Sequence, residues 1–198
     1  MDNLPPVILA SASPRRSELL ASMDIEFETV PSHAEETLEG SDFVPDLCEA
    51  NARAKAEPIA ELHPECLVIA ADTMVYLEDE LFCKPTHLDE AGRMLAQLQG
   101  RTHHVSTGVS LIYHNDEISK TFSVITNVTF LPLSKGQIEE YLAGIDPLDK
   151  AGGYAIQQNK HLIIKRVSGS VSNVVGLPVE RLKEELNHLF GKTIEEKW

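Results

Sequence analysis

The sequence has few cysteines and no metal-binding cysteine or histidine motif. Its 198 residues include three cysteines, Cys48, Cys66 and Cys83, with no C-x-x-C pair. An odd number of widely spaced cysteines argues against both a disulfide framework and a cysteine zinc site. No H-E-x-x-H or H-x-x-E-H segment occurs, so the helix of a zinc metalloprotease is not indicated.

The sequence also lacks a long apolar run. No stretch reaches the roughly 18 apolar residues that a membrane span needs. The first residues, MDNLPPVILAS, lack the basic segment of a secretory signal peptide. We therefore expect a cytoplasmic protein that does not associate with a membrane.

Positive charge is scarce, with 17 Lys and Arg against 31 Asp and Glu and a formal net charge of −14. Non-specific nucleic-acid binding needs a basic face, so we expect no nucleic-acid partner. An anionic ligand would need a local positive pocket within this negative protein. The chain offers Arg15, Arg16, Lys55 and Lys84 to form one.

The length and composition of the chain, with 42% hydrophobic and 24% charged residues, are typical of one globular domain with a hydrophobic core. Leu67–Ala71 is apolar throughout, as in a strand that is buried on both faces. His103–His114 and Ile118–Leu131 read as two long strands. Helices are predicted at Pro14–Met23, Asp46–Glu57 (interrupted or kinked at Pro58), Asp89–Gln99, Ser134–Gly144 and Pro178–Phe190. This mixture predicts an α/β or α+β fold with an elongated mixed sheet.

The stretch from Ala10 to Arg16 is the strongest local signal. It follows the apolar strand Val7–Ala10, and Ser13 and Pro14 suit the start of a helix. Arg15 and Arg16 then lie in the first helical turn, where the helix dipole is already positive. Two arginines beside free backbone N–H groups and serine hydroxyls predict an anion site. The alternative is that both arginines point into water.

Asp72 directly follows the apolar strand, at the position where α/β sheets place ligand sites. A carboxylate there could hold Mg²⁺ or accept a proton from water. The alternative is an aspartate that merely starts a turn, with Thr73 as an ordinary strand residue. Lys84 is a candidate site residue only if the hairpin predicted at 74–83 folds it back toward Asp72.

Three further segments offer polar groups. Glu35 and Glu36 lie in the acidic loop Pro31–Ser41 and are either metal ligands or solvated residues, the latter being favoured by sequence alone. Lys55 lies on a helix face, where most lysines point into solvent. The loop Lys150–Gln157, predicted to enter a strand, offers glycine N–H groups and the Gln157 amide, which could read a base edge with one donor and one acceptor.

Several segments together resemble one family. They are Ala10-Ser11-Ala12-Ser13-Pro14-Arg15-Arg16, Ala71-Asp72-Thr73, Lys84-Pro85, Asp149-Lys150-Ala151-Gly152-Gly153-Tyr154-Ala155-Ile156-Gln157 and Ser172-Asn173-Val174-Val175-Gly176-Leu177-Pro178. In this order they resemble the Maf family of nucleoside triphosphate pyrophosphatases, also called septum-formation-inhibitor proteins. The likeness extends from Leu9 to about Leu186.

The resemblance implies an inosine-triphosphatase-like (Maf/Ham) α/β fold. Such a fold has an elongated mixed sheet flanked by helices, with a central cleft between two lobes of one domain, here residues 1–198. It also implies hydrolysis of a nucleoside triphosphate to the monophosphate and pyrophosphate with a divalent cation, Mg²⁺ or Mn²⁺, and a homodimer. The alternative, motivated by the family's older name, is a nucleotide-binding regulator of septum formation with little catalysis.

The resemblance also assigns roles to residues. Asp72 matches the position of the proton acceptor, and with Glu36 it would hold the metal or deprotonate the attacking water. We therefore expect Asp72, Lys84 and Glu36 to be catalytic, with Asp72 and Glu36 as the metal ligands. The expected substrate-binding residues are Ser11, Arg15, Arg16, Lys55, Thr73 and Gln157.

Specificity is implied by three of these residues. Arg15, Thr73 and Gln157 match positions that mark the dTTP/UTP branch, so dTTP and UTP are the expected substrates, with modified pyrimidine triphosphates as further candidates. One departure concerns Ala155, where that branch commonly has glycine in the loop Ala-Gly-Ala-Tyr-Gly-Ile-Gln. If the family needs a positive φ there, alanine would be strained.

Overall fold

The computed structural model describes residues 4–41 and 43–191. The α/β class and the mixed sheet are as predicted, with seven strands in one sheet and helices flanking it. The strands are β1 Val7–Leu9, β2 Phe27–Thr29, β3 Leu67–Leu77, β4 Glu80–Phe82, β5 Thr102–Tyr113, β6 Ile118–Phe130 and β7 Ile164–Ser168. The helices are α1 Pro14–Ala21, α2 Val44–Leu62, α3 Leu88–Leu98, α4 Lys135–Ala143, α5 Lys160–Ile163, α6 Val171–Val175 and α7 Val179–Phe190.

The strand order is β2-β1-β3-β5-β6-β7, and β4 pairs with β3. β1 runs parallel to β2 and to β3, with Val7 opposite Phe27 and Leu67. β4 is antiparallel to β3 and β7 is antiparallel to β6. Parallel and antiparallel pairs therefore share one sheet.

The chain forms two compact units. The first contains the residues up to Asp72, Thr107–Val124 and the residues from Gly176 onward, and the second contains Thr73–Ser106 and Ile125–Val175. β3, β5 and β6 each contribute residues to both units. The boundary on β3 falls between Asp72 and Thr73.

In the first unit, strand β1 is buried on both faces. Val7 and Leu9 pack in one apolar cluster with Leu20 of α1, whereas Ile8 packs in a second cluster. Alternate residues of a strand point to opposite faces, so a strand between two clusters must be apolar throughout, as Val7–Leu9 is.

Helix α2 lies unusually close to β5 within this unit. A Cβ added at Gly108 of β5 would lie 2.3 Å from the carbonyl carbon of Cys48 in α2. Only glycine permits this approach. The contact fixes the position of α2, which carries Asn51 and Lys55.

The sequence predicts that Pro58 interrupts or kinks the helix over Asp46–Glu57. In the structure Pro58 does not interrupt it, because α2 continues through the proline to Leu62. Proline removes one backbone hydrogen bond from a helix interior. Here Ala56, Ile59 and Ala60 are buried in the second apolar cluster, and that packing stabilises the last turns of the helix around the proline.

The second unit has its own core. Its apolar cluster includes residues of β3, β4, α3, β5, β6 and α4, namely Val75, Leu77, Phe82, Leu95, Leu98, Val105, Val128, Phe130, Ile138 and Tyr141. Helix α4 begins with the predicted capping box, in which Ser134 accepts from the Gln137 N–H and the Gln137 side chain accepts from the Ser134 N–H.

Three predicted boundaries are wrong. β3 does not end at Asp72 but runs to Leu77, because the residues that follow include more buried apolar side chains. The loop ending at Gln157 leads into turns and α5 rather than into a strand, and β7 starts only at Ile164. The polar residues of Ser168–Gly176 also predict a loop, whereas the structure has α6 within this segment. None of the described helices has the length and apolarity needed to cross a membrane.

Candidate active site

Asp72 is a buried carboxylate in the middle of β3, with its side chain 6% exposed. Its Oδ1 accepts a hydrogen bond from Lys55 Nζ at 2.6 Å. Its Oδ2 accepts one from Asn51 Nδ2 at 3.2 Å. A buried charge is stable only when it is paired and hydrogen-bonded, and α2 supplies both partners. The alternative of a turn-starting aspartate is therefore wrong.

Lys55 joins two carboxylates. Besides Asp72, its Nζ lies 2.6 Å from Oε1 of Glu36. The Lys55 side chain is 12% exposed and that of Glu36 is 51% exposed. The alternative that Lys55 points into solvent is thus wrong. Glu36 is half exposed, but its carboxylate also reaches the Lys55 ammonium.

Asn51 completes this arrangement and was not predicted. It is 1% exposed. Its Oδ1 accepts from the Thr37 N–H at 2.8 Å, and its Nδ2 donates to the Thr37 carbonyl at 2.9 Å as well as to Asp72. Asn51 therefore ties the loop that carries Glu36 to the strand that carries Asp72. The available signal was its place one helical turn before Lys55, which puts both on one helix face.

Ser11 and Arg16, two residues of the predicted anion site, lie together in the structure. Arg16 Nη1 donates to Ser11 Oγ at 3.3 Å, and Arg16 Nε donates to the Gly176 carbonyl at 2.8 Å. Ser13 occupies the N-cap position of α1, but its side chain makes no capping bond. Instead, the Ser13 N–H donates to Ser11 Oγ at 3.2 Å.

Arg16 does not simply point into water. It is half-buried, as is Arg15. Burial lowers the pKa of the Arg16 guanidinium, an effect that the negative charges of Asp72 and Glu36 oppose. A partly desolvated guanidinium binds an anion more strongly than one in bulk water.

The first unit thus gathers what we call the carboxylate–cation cluster: Ser11, Arg16, Glu36, Asn51, Lys55 and Asp72. It offers donors for phosphate oxygens and a carboxylate that could accept a proton. The carboxylates of Asp72 and Glu36 converge on one cation, the Lys55 ammonium. Two converging carboxylates are hard oxygen donors of the type that Mg²⁺ and Mn²⁺ prefer, so these residues fit the expected metal.

The remaining predicted residues, Thr73, Lys84 and Gln157, belong to the second unit. Thr73 is half-buried on β3, and Lys84 is exposed just after β4. The predicted hairpin is confirmed, with Val75 opposite Phe82. Lys84 lies two residues after Phe82, and because β4 is antiparallel to β3, the chain there has turned back along β3 toward Thr73.

Gln157 is exposed and follows the buried residues Tyr154–Ile156. The strain considered for Ala155 is absent. The described non-glycine residues with positive φ are Asp24, Glu78, Glu117 and Asn159. In this loop it is Gly152 and Gly153 that adopt positive φ, at 72° and 69°, so Ala155 needs no glycine-like conformation.

Comparison with known proteins gives a consistent result. The family described as "Maf-like protein" matches residues 6–189. A protein named dTTP/UTP pyrophosphatase from Akkermansia muciniphila is 45% identical over 186 residues, covering 94% of this chain and 97% of its own length. Proteins of the same name from Myxococcus xanthus and Desulforamulus reducens are 46% and 42% identical, covering 87% and 96% of this chain and 87% and 98% of their own lengths.

Among solved structures, the Ham1 protein of Staphylococcus aureus matches with a TM-score of 0.48 and 17% identity, covering 63% of this chain and 71% of its own. The family match, by contrast, spans nearly the whole chain, and the relatives exceed 40% identity over most of their lengths. This chain belongs to the Maf family.

Proposed function

We propose that this protein hydrolyses dTTP and UTP to the nucleoside monophosphate and pyrophosphate. The observation that carries the proposal is the buried Asp72 carboxylate, held by Lys55 and Asn51 in the same unit as Arg16. Relatives of this chain are named dTTP/UTP pyrophosphatases. Arg15, Thr73 and Gln157 match the positions expected for that specificity.

Arg16 and Lys55 would bind the phosphates. A nucleoside triphosphate carries several negative charges, and a guanidinium and an ammonium supply charge-assisted hydrogen bonds to them. The hydroxyl of Ser11, which here accepts from Arg16, fixes the direction of the guanidinium. Cations held in place before the substrate arrives stabilise the negative charge that develops on the leaving pyrophosphate.

Asp72 would act as the general base. Its carboxylate takes a proton from a water molecule, whose oxygen attacks the α-phosphorus. The bond between that phosphorus and the oxygen bridging to the β-phosphate breaks, and the bridging oxygen leaves with pyrophosphate. General-base catalysis of this kind contributes about 10²–10⁴-fold to a rate.

Asp72 and Glu36 are the residues that would hold a divalent cation. When bound, Mg²⁺ or Mn²⁺ would neutralise phosphate charge and polarise the phosphoryl oxygens. Asn51 has a role whether or not the cation is bound, because it ties the backbone beside Glu36 to the Asp72 carboxylate. Lys84 remains a predicted catalytic residue of the second unit, from its motif alone.

A substrate panel tests the proposal. The purified protein is incubated with Mg²⁺ or Mn²⁺ and dTTP, UTP, CTP, 5-methyl-UTP or 7-methyl-GTP, and pyrophosphate and orthophosphate are measured separately. We expect pyrophosphate from dTTP and UTP, with far less from 7-methyl-GTP. Release of orthophosphate alone would contradict the assigned bond, and binding without any turnover would favour a nucleotide-binding regulator.

A further inference from the structure

The loop Lys150–Gln157 is tightly packed up to Ile156 and ends at the exposed side chain of Gln157. At Gly152 an added Cβ would lie 3.2 Å from Val75 Cγ1, and at Gly153 it would lie 3.2 Å from Ala91 Cβ. The residues from Gly152 to Ile156 are buried, and Gln157 is the first exposed residue after them. The position of the Gln157 backbone is therefore set by what holds the buried part.

One hydroxyl group holds the backbone of Ala155. The Tyr141 hydroxyl of α4 accepts a hydrogen bond from the Ala155 N–H at 3.0 Å and donates one to the Ala155 carbonyl at 3.2 Å. Tyr141 is fully buried, and this burial raises its pKa to about 12. It therefore keeps the proton that it donates. Ala155 lies outside any helix or strand, so Tyr141 satisfies backbone groups that no regular structure pairs.

A second hydroxyl anchors the preceding residue. The Tyr154 hydroxyl lies 2.8 Å from Nε2 of His103 on β5. The Tyr154 ring also packs edge-on against Phe130, with their centroids 4.9 Å apart. Consecutive loop residues are thus held from two directions, Tyr154 through its side chain and Ala155 through its backbone.

We propose that the buried hydroxyls of Tyr141 and Tyr154 are positioning groups for base selection, because they fix the loop that presents Gln157. The inference rests on the proposed function, in which Gln157 matches a specificity position, and on the expectation from the sequence that its amide reads the base edge. Both tyrosines are buried, so we do not expect either to contact the substrate. Each acts through the loop.

The chemistry of the glutamine amide explains why its orientation matters. Uracil and thymine present an N3–H donor beside an O4 acceptor, whereas cytosine presents an N3 acceptor beside an N4 amino donor. A fixed amide oxygen and NH₂ group match the first pattern and oppose the second. A glutamine that is free to rotate by half a turn matches both. Loosening the loop should therefore reduce discrimination against CTP more than it reduces turnover of UTP.

The test compares Tyr141→Phe and Tyr154→Phe with the wild-type protein and with Tyr113→Phe. Each substitution removes one hydroxyl and leaves the ring. Tyr113 is a matched control, because within the described residues its ring contacts Phe190 and its hydroxyl has no hydrogen bond. For each protein, kcat and KM are measured with UTP and with CTP, and thermal unfolding checks the fold.

We expect the ratio of kcat/KM for UTP to that for CTP to fall by roughly tenfold in Tyr141→Phe and in Tyr154→Phe. The loss should come mainly from a higher KM for UTP, with kcat changed less. Tyr113→Phe should keep the wild-type ratio. In a Gln157→Ala background, adding Tyr141→Phe should not change the ratio further, because the residue through which it acts is gone.

An unchanged ratio in folded Tyr141→Phe would overturn the inference, as would an equal loss for UTP and CTP, which is what a purely structural role produces. If Tyr141→Phe does not fold, the ratio in Tyr154→Phe decides by the same criterion. A wild-type protein that releases no pyrophosphate from UTP would overturn the proposed function itself, and the inference with it.

Discussion

The Lys55 ammonium lies 2.6 Å from Oδ1 of Asp72. The same Nζ atom lies 2.6 Å from Glu36, so one cation balances two carboxylates that come from a strand and from a loop. Without it, the buried Asp72 carboxylate would keep only the Asn51 amide as a described partner. Lys55 thus places a positive charge directly beside the carboxylate that we propose as the general base.

Replacing Lys55 tests this relationship. We expect Lys55→Met to lower kcat/KM by about 10²-fold or more, because it removes a proposed phosphate-binding cation and leaves the buried Asp72 carboxylate without its ammonium partner. Lys135→Met is the control, since the Lys135 side chain is 92% exposed and lies far along the chain on α4. Steady-state pyrophosphate release measures both. A loss of less than twofold in Lys55→Met would remove Lys55 from the mechanism.

Asn51→Leu should reduce both stability and activity. The substitution removes the amide that bonds both the Thr37 backbone and the buried Asp72 carboxylate, and leaving a buried polar group without its partner costs about 1–3 kcal/mol. We expect denaturant unfolding to show a decrease of at least about 2 kcal/mol in the free energy of unfolding. The exposed Asn115 provides the control, and Asn115→Leu should change the value by less than about 0.5 kcal/mol. Equal stabilities would contradict the role given to Asn51.

Gly108→Ala tests the close approach of α2 and β5. Because the added Cβ would lie 2.3 Å from the Cys48 carbonyl carbon, the helix must shift, at a cost of about 1–3 kcal/mol or more. Gly136→Ala, in the first turn of α4, meets nothing within 4 Å and should stabilise the protein slightly, since alanine favours helices. Thermal unfolding should therefore move in opposite directions for the two variants. Similar shifts would contradict the packing described.

His103 should make stability fall in acid. Burial lowers the pKa of His103 from 6.5 to about 3, so the unfolded chain binds a proton there below pH 6.5 while the folded protein does not. Stability from neutral His103 is present above pH 6.5 and is lost as the pH falls toward about 3. His103→Gln should flatten the dependence of unfolding free energy on pH in this window. His33→Gln, at an exposed histidine, serves as the control for the histidine-to-glutamine exchange itself.

The elements of this fold are largely predictable because their signals are local. Ser134 and Gln137 mark a helix start by their own spacing, and the apolar run before Asp72 marks a buried strand. The prediction of the end of that strand failed because Asp72 and Thr73 resemble a turn in sequence, while the burial of the residues after them decides that β3 continues. The predicted interruption of α2 at Pro58 was wrong for a similar reason, since packing of the neighbouring alanines outweighs the lost backbone hydrogen bond.

The site is less predictable, because its contacts are distant in sequence. Asn51 meets Thr37 and Asp72 across 14 and 21 residues, and an asparagine on a helix carries no local mark of such a role. The helix position of Lys55 does not mark it as a site residue, and only the family resemblance predicts that it binds substrate. Tyr141 contacts the Ala155 backbone, and a backbone partner leaves no pattern in the side chains of either segment.

The most direct test of the account is pyrophosphate release from dTTP and UTP by Asp72→Asn and by the wild-type protein, with nucleotide binding measured in parallel. Asparagine keeps the shape of the side chain and removes the charge that accepts the proton. We predict a loss of about 10²–10⁴-fold in kcat, with nucleotide affinity changed far less. Wild-type turnover in Asp72→Asn would contradict the assignment of Asp72 as the catalytic base.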